Sequence, residues 1–139
     1  MKRFIQCVCL ILVLSVFLAI PVTAEEISPW SSRYFMSVSA YIYNVSSTQF
    51  QVRFNVTATG MMDELGVNSI EVQRSADNSN WEHVKTYTKE GYENLVVSDT
   101  FDHSSYVTCS KASGYSYRAY VEFYAKDSSG TGYYGYYAY

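Results

Sequence analysis

FQVRFNVTA, residues 50–58, alternates apolar and polar side chains without a break. Phe50, Val52, Phe54, Val56 and Ala58 fall on one side, and Gln51, Arg53, Asn55 and Thr57 on the other. Successive side chains of an extended strand point to opposite faces. A period of two therefore describes a β-strand with one buried face and one wet face. A helix would need apolar residues every three or four positions, and no such period is sustained from residue 25 onward.

The same pattern extends in both directions. Upstream, Met36, Val38, Ala40 and Ile42 alternate with Ser37, Ser39, Tyr41 and Tyr43, and the chain turns at Asn44–Thr48. Downstream, Met61–Gly66 reads as a connection, followed by a strand over Val67–Arg74. Ala76-Asp77-Asn78-Ser79-Asn80 is turn chemistry, because Asp and Asn tolerate left-handed backbone and bond locally to the main chain. Trp81–Thr88 is then the return strand of a hairpin. Glu90–Asp102 is the least regular stretch, read as a loop crossing with a short strand at Leu95–Val97. Tyr106–Ser110 is a short strand, and Lys111–Gly114 a turn. Tyr115–Lys126 places Tyr117, Ala119, Val121, Phe123 and Ala125 inward and Arg118, Tyr120, Glu122 and Tyr124 outward. Asp127-Ser128-Ser129-Gly130 turns into a final strand, Tyr133–Tyr139. About seven short antiparallel strands at this spacing predict an all-β sandwich or barrel. Its expected core contains Val52, Phe54, Val56, Ile70, Val72, Tyr117, Val121 and Phe123.

Residues 1–24 are of a different kind. Lys2 and Arg3 precede an apolar run from Phe4 to Ile20, and the segment closes on Val22-Thr23-Ala24. A basic start, an apolar middle and small residues before a cut form a secretory signal peptide. The expectation is export, cleavage after Ala24, a lead-in over residues 25–33 and a single domain over residues 34–139. A domain of that length buries roughly two thirds of its unfolded surface, enough for a core without metals or disulfides. No second apolar run follows, so no membrane span is expected in the mature chain. Loss of Lys2 and Arg3 takes the formal net charge from −3 to −5. The basic side chains are scattered, which disfavours nucleic acid and anionic lipid as partners. Cys7 and Cys9 leave with the leader. Cys109 remains alone, either as a small buried apolar side chain or as one half of an intermolecular disulfide.

IEVQRSADNSNWEHV, residues 70–84, and YSYRAYVEFYAKDSSGTG, residues 115–132, together resemble fibronectin type III and related immunoglobulin-like domains. The first is a hairpin with a polar turn and a Trp opening the return strand. The second is a Tyr-x-Tyr strand leading through an Asp-Ser-x-Gly turn into a last strand. The resemblance implies an immunoglobulin-like, fibronectin type III-like antiparallel β-sandwich. The proline-rich entry usual for that family is weak here, and residues 90–105 depart from its pattern. The whole is also similar to small secreted proteins of Gram-positive bacteria. Domains of this class serve as spacers, adhesion modules and appendages of carbohydrate enzymes, so the fold selects no single activity.

The residue inventory points away from catalysis. His83 and His103 are the only histidines, and no metal-ligand spacing or Gly-rich phosphate loop occurs. His83 reads as a strand residue, and His103 as a local hydrogen-bonding group. Ser104, His103 and Asp99 are neighbours in sequence, and such neighbours rarely assemble a triad. Asp99, Asp102 and Asp127 have oxygen ligands suited to calcium but lack a compact acidic loop. No cofactor or metal is expected. Asn44-Val45-Ser46 and Asn55-Val56-Thr57 match the glycosylation sequon.

The remaining signal is tyrosine. Of 15 tyrosines, Tyr115, Tyr117, Tyr120, Tyr124 and the four of YYGYYAY before its final residue crowd the last part of the chain with Tyr139. Tyrosine rings present apolar faces with polar tips. The expectation is a secreted, non-catalytic binding module, monomeric or weakly dimeric. It would meet an extracellular glycan or cell-surface protein through Tyr120, Tyr124, Tyr134 and Tyr136 with Arg118. The alternative is a structural or assembly subunit, joined through the last strand or Cys109, in which the tyrosines only complete the sheet. A bacteriocin-like or toxin-like role is a third reading.

Overall fold

The computed structural model describes residues 33–139. The predicted leader and its cleavage site lie outside them. Six strands form one antiparallel sheet: β1 (Phe35–Asn44), β2 (Gln49–Ser75), β3 (Glu82–Thr88), β4 (Val96–Ser110), β5 (Ser116–Asp127) and β6 (Gly130–Ala138). One turn of 3-10 helix, Glu93–Leu95, precedes β4. Among the described residues no helix is long and apolar enough to cross a membrane.

The strand β2 organises everything else. It runs for 27 residues and changes neighbours along its length. Residues 49–57 lie between β1 and β4, and residues 69–75 between β3 and β5. In the middle, Glu64, Leu65 and Gly66 pair with β4 on one side and β5 on the other. The stretch Met61–Gly66 is therefore strand and not the expected connection. Its alternation is broken by register shifts between Thr57 and Met62 and between Val67 and Ser69. Inward side chains are even-numbered from Phe50 to Met62, odd at Leu65 and Val67, and even again from Ile70. Such irregularities bend a strand and reset which side chains point inward. Gly66 stands at the crossing with a φ of +155°, and a Cβ there would strike the carbonyl oxygen of Leu95.

The curled sheet brings its two arms into contact. Phe54 on the first arm meets Phe123 on the second, centroids 6.3 Å apart in an edge-on arrangement, and Phe50 meets Tyr117 at 4.8 Å. The expected core residues are buried between the arms, with Tyr117 half-buried against them. Along one rim the amide of Ile42 donates to the carbonyl of Tyr139 (3.4 Å). Along the other the Tyr87 hydroxyl donates to the carbonyl of Thr108 (3.0 Å).

Two further expectations change. Phe35 takes the core position assigned to Met36, which is 54 % exposed, because the register shifts between Phe35 and Ser37. The predicted strands at Leu95–Val97 and Tyr106–Ser110 are the two ends of β4, which runs unbroken through the supposed loop. That stretch looked irregular because its side chains are mostly exposed. Its order comes from backbone pairing to β2 and from Asn94, whose amide donates to Ser105 Oγ (2.9 Å) and to the carbonyl of Tyr106 (2.8 Å).

The β2–β3 turn follows the sequence reading. The Asp77 carboxylate accepts the amides of Ser79 (2.9 Å) and Asn80 (2.8 Å) and the hydroxyl of Ser75 (2.9 Å), and Asn78 adopts a φ of +59°. Chiefly the Asn80 amide, and then that of Ser79, holds the Asp77 carboxyl well below the usual carboxylate range.

Phe54→Ala should cost about 3–5 kcal/mol in denaturant unfolding, as expected for a fully buried ring; a near-neutral result would remove this arrangement of the core. Asp77 gives a pH signature. Its folded pKa is depressed, so the unfolded chain takes up the proton first and stability falls as pH drops below the ordinary Asp range near 4. Replacing Asp77 with Ala should flatten that acid limb of a Tm-against-pH curve.

Candidate functional site

The β5–β6 hairpin decides which tyrosines share a face. Asp127 pairs with Gly130, leaving Ser128 and Ser129 as the loop. The Ser129 amide donates to the Asp127 carboxylate (2.8 Å), fixing that turn. Tyr120 then stands opposite Tyr137, Glu122 opposite Gly135, and Tyr124 opposite Tyr133. Residues directly opposite in an antiparallel pair project to the same side.

The outward face consequently carries Tyr120, Tyr124, Tyr133 and Tyr137. Tyr134 and Tyr136, expected on it, stand opposite Phe123 and Val121 and face the other way. Tyr134 packs against the core, and Tyr136 remains 38 % exposed on that opposite side. The odd sum imposed by a two-residue loop pairs even positions with odd ones. The expected grouping combined even positions from both strands.

Two clusters form on the outward face. In the first, the Arg118 guanidinium lies 4.4 Å from the Trp81 ring and 4.8 Å from that of Tyr137. Its Nε donates to Gln73 Oε1 (2.7 Å). Tyr137 continues to Tyr120 at 5.0 Å and to Tyr139 at 6.3 Å. Tyr120 reaches over Gly135, where any Cβ would overlap its hydroxyl end and ring. A cation beside an aromatic face is attracted by the ring quadrupole, and the ring in turn is held in place.

Tyr124 centres the second cluster. It points outward as expected, yet it is only 4 % exposed. Lys89 Nζ covers its ring at 3.5 Å and Tyr133 flanks it at 5.5 Å. Its hydroxyl donates to Glu64 Oε2 (2.9 Å), and Lys126 Nζ donates to Glu64 Oε1 (3.1 Å). Burial, and then the bond to the Glu64 carboxylate, pushes the Tyr124 hydroxyl up to about 12. The Tyr124 and Lys126 hydrogen bonds lower Glu64. Tyr124 is thus an anchor under the face, and Tyr133, Tyr137 and Tyr139 are its accessible rings, at 58 %, 42 % and 70 % exposure. Sequence reasoning missed Trp81, Tyr133 and Tyr137. The signal for the tyrosines was the loop length of the last hairpin, and for Trp81 its place at the head of the return strand.

Other singled-out residues lie elsewhere. Cys109 is buried on β4 beside Tyr87, and burial raises its thiol. His83 bonds to Thr86 Oγ1 (2.9 Å), and His103 to the carbonyl of Asn94 (2.9 Å) while lying edge-on to Phe54. Asp99 and Asp102 sit on β4, and Asp127 at the β5–β6 turn. Asn44 Oδ1 accepts from Lys111 Nζ (2.8 Å).

The chain is an antiparallel all-β protein with an aromatic and cationic outer face. Comparisons with protein-family models, curated proteins and solved structures found no match to it.

Gly135→Ala should push Tyr120 off β6, costing about 1 kcal/mol, the low end for overpacking. It should also alter the near-ultraviolet circular dichroism of the tyrosines. An unchanged spectrum and Tm would show that Tyr120 does not rest there.

Proposed function

We propose that this chain is a secreted, non-catalytic binding module, built as an immunoglobulin-like β-sandwich. It docks an extracellular glycan or cell-surface protein on the outer aromatic face of β5 and β6. Two observations support the sandwich. With β2 counted as two arms, the neighbours β1-β2-β4 face β3-β2-β5-β6. That grouping is compatible with the A-B-E and C′-C-F-G sheets of an immunoglobulin-like sandwich whose strands B and C are joined. The second is Tyr117, near the start of β5, whose hydroxyl accepts the Ala112 amide (2.8 Å). A tyrosine corner makes a similar bond at a similar place, which supports the reading. Export rests on the leader-like character of residues 1–24.

The observation that carries the binding role is the continuous row Trp81, Arg118, Tyr137 and Tyr120. Its rings are ordered before any ligand arrives. Tyrosine and tryptophan supply large rigid contact area at low entropic cost, and exposed aromatic patches mark interaction sites. Gln73 and the flanking rings hold Arg118 in place to contribute a directed donor.

Panels of polysaccharides and cell-surface proteins, probed with the exported protein, test this reading. Tyr137→Ala should weaken the captured ligand about tenfold or more, the effect of losing a central aromatic contact. Retention of full affinity by Tyr137→Ala and Trp81→Ala together, or capture of nothing from either panel, would overturn it.

A further inference from the structure

We infer that the opposite face of the molecule, on β1, the first half of β2 and β4, holds a second binding site centred on Arg53, which takes a carboxylated polysaccharide. This site shares no residue with the face of β5 and β6 and stands or falls independently of it.

Arg53 occupies the outward side of β2, with Tyr41 opposite it on β1 and Tyr106 opposite it on β4. Its guanidinium carbon lies 4.0 Å from the centre of the Tyr43 ring and 5.9 Å from that of Tyr106. Its Nε donates to Gln51 Oε1 (2.9 Å). Ring contact and one amide bond therefore fix the plane of the guanidinium. Among the described residues no carboxylate pairs with it; the ion pairs there are Arg74–Glu82 and Lys126–Glu64. The two terminal Nη groups remain directed donors whose charge is unneutralised. A planar fork of this kind matches a carboxylate bidentately, which a point charge does not.

The surroundings define what else the ligand carries. Tyr41, Tyr43 and Tyr106 are 43 %, 47 % and 49 % exposed, offering ring faces beside the fork. A recess of about 280 Å³ adjoins Tyr41, Arg53 and Tyr106, lined also by Phe54, Asn55, Ser104 and Ser105. Asn55 bridges Ser39 (3.3 Å) and Ser104 (2.8 Å), so its floor is a hydrogen-bonded, uncharged row across three strands. The nearest acidic side chain along this ladder is Asp102, opposite Thr57 and two outward positions from Arg53. A surface of hydroxyls, amides and phenol rings around one fixed cation complements a sugar ring bearing a carboxylate. It lacks the clustered cations that a nucleic acid requires. Rings covered by the apolar side of a sugar, with polar tips left to its hydroxyls, use both properties of tyrosine.

The same constellation occurs on the other face, where Arg118 lies between Trp81 and Tyr137 with its Nε on Gln73. There, however, the carboxylate of Glu71 accepts from the amide of the same Gln73 (2.7 Å) and stands opposite Tyr120, one outward position from Arg118. The Glu71 carboxylate next to Arg118 repels an anionic ligand, and the absence of one that close to Arg53 is why the carboxylated ligand is assigned to this face.

The test is affinity electrophoresis and titration calorimetry of the exported protein with polygalacturonate, its fully methyl-esterified form, dextran sulfate and poly-L-glutamate. Polygalacturonate should bind, and the ester about tenfold more weakly or not at all, since esterification removes the charge but keeps the sugar. Arg53→Gln should weaken binding about tenfold or more, the range for losing a charged hydrogen-bonded pair. Arg53→Lys should restore only part of it, and Lys85→Gln, which removes the same charge elsewhere, should have no effect. Unchanged Tm values for the exposed-site variants confirm that they fold. The inference is overturned if polygalacturonate does not bind, if its ester or dextran sulfate binds equally, if poly-L-glutamate binds equally, or if Arg53→Gln retains full affinity.

Discussion

Both arms of this protein hang on the backbone hydrogen bonds of β2. Most strands serve one place in one sheet, but β2 pairs along both edges twice, first with β1 and β4 and then with β3 and β5. Its bend turns one sheet back on itself, and its register shifts keep apolar side chains on the inside of both arms. A single-residue slip in an antiparallel pair would turn a whole set of side chains to the wrong face. Each shift in β2 is therefore tied to the burial of Phe54, Leu65, Val67 and Ile70. The contact of Phe54 with Phe123 closes what the backbone begins.

That coupling also makes the outer surfaces. Once the inward parity of a strand is set by the core, its outward residues are set too. Arg53 and Arg118 emerge on opposite outer faces, each among aromatic rings and each with its Nε on a glutamine two strand positions away or directly opposite. In a chain with more acidic than basic side chains, these cations rest on rings and not on carboxylates. Lys85 over Tyr87 and Lys89 over Tyr124 follow the same rule. Rings fix the position of a cation without cancelling its charge, and at Arg53 this leaves a held, unneutralised fork.

Much of this was legible in the residues. Strand alternation placed the core, and Ala76–Asn80 and Asp127–Gly130 announced their turns. The expectation of an antiparallel all-β fold is what the curled sheet displays. What was not legible depended on register. Met61–Gly66 looked like a connection because a bend in a continuous strand and a break between two strands disturb alternation in the same way. Residues 96–105 looked like a loop because their order comes from pairing with β2 and not from their own apolar content. Tyr134 and Tyr136 were placed on the wrong face because strand pattern gives the parity within one strand but not the offset between two.

The chain by itself determined that it would form antiparallel strands, which side chains of most strands would turn inward, and that tyrosine would crowd its last hairpin. These are local properties, fixed by the two-residue period of an extended backbone and by the turn preferences of Asp, Asn and Gly. Tertiary structure alone decided that two predicted strands would be one, that Tyr124 would be covered while Tyr137 is open, and that Tyr43 and Tyr106 would meet at Arg53. Those outcomes require knowing which residues stand opposite each other across strands, and that offset is set only when hairpin loops close and both arms compete to bury the same core.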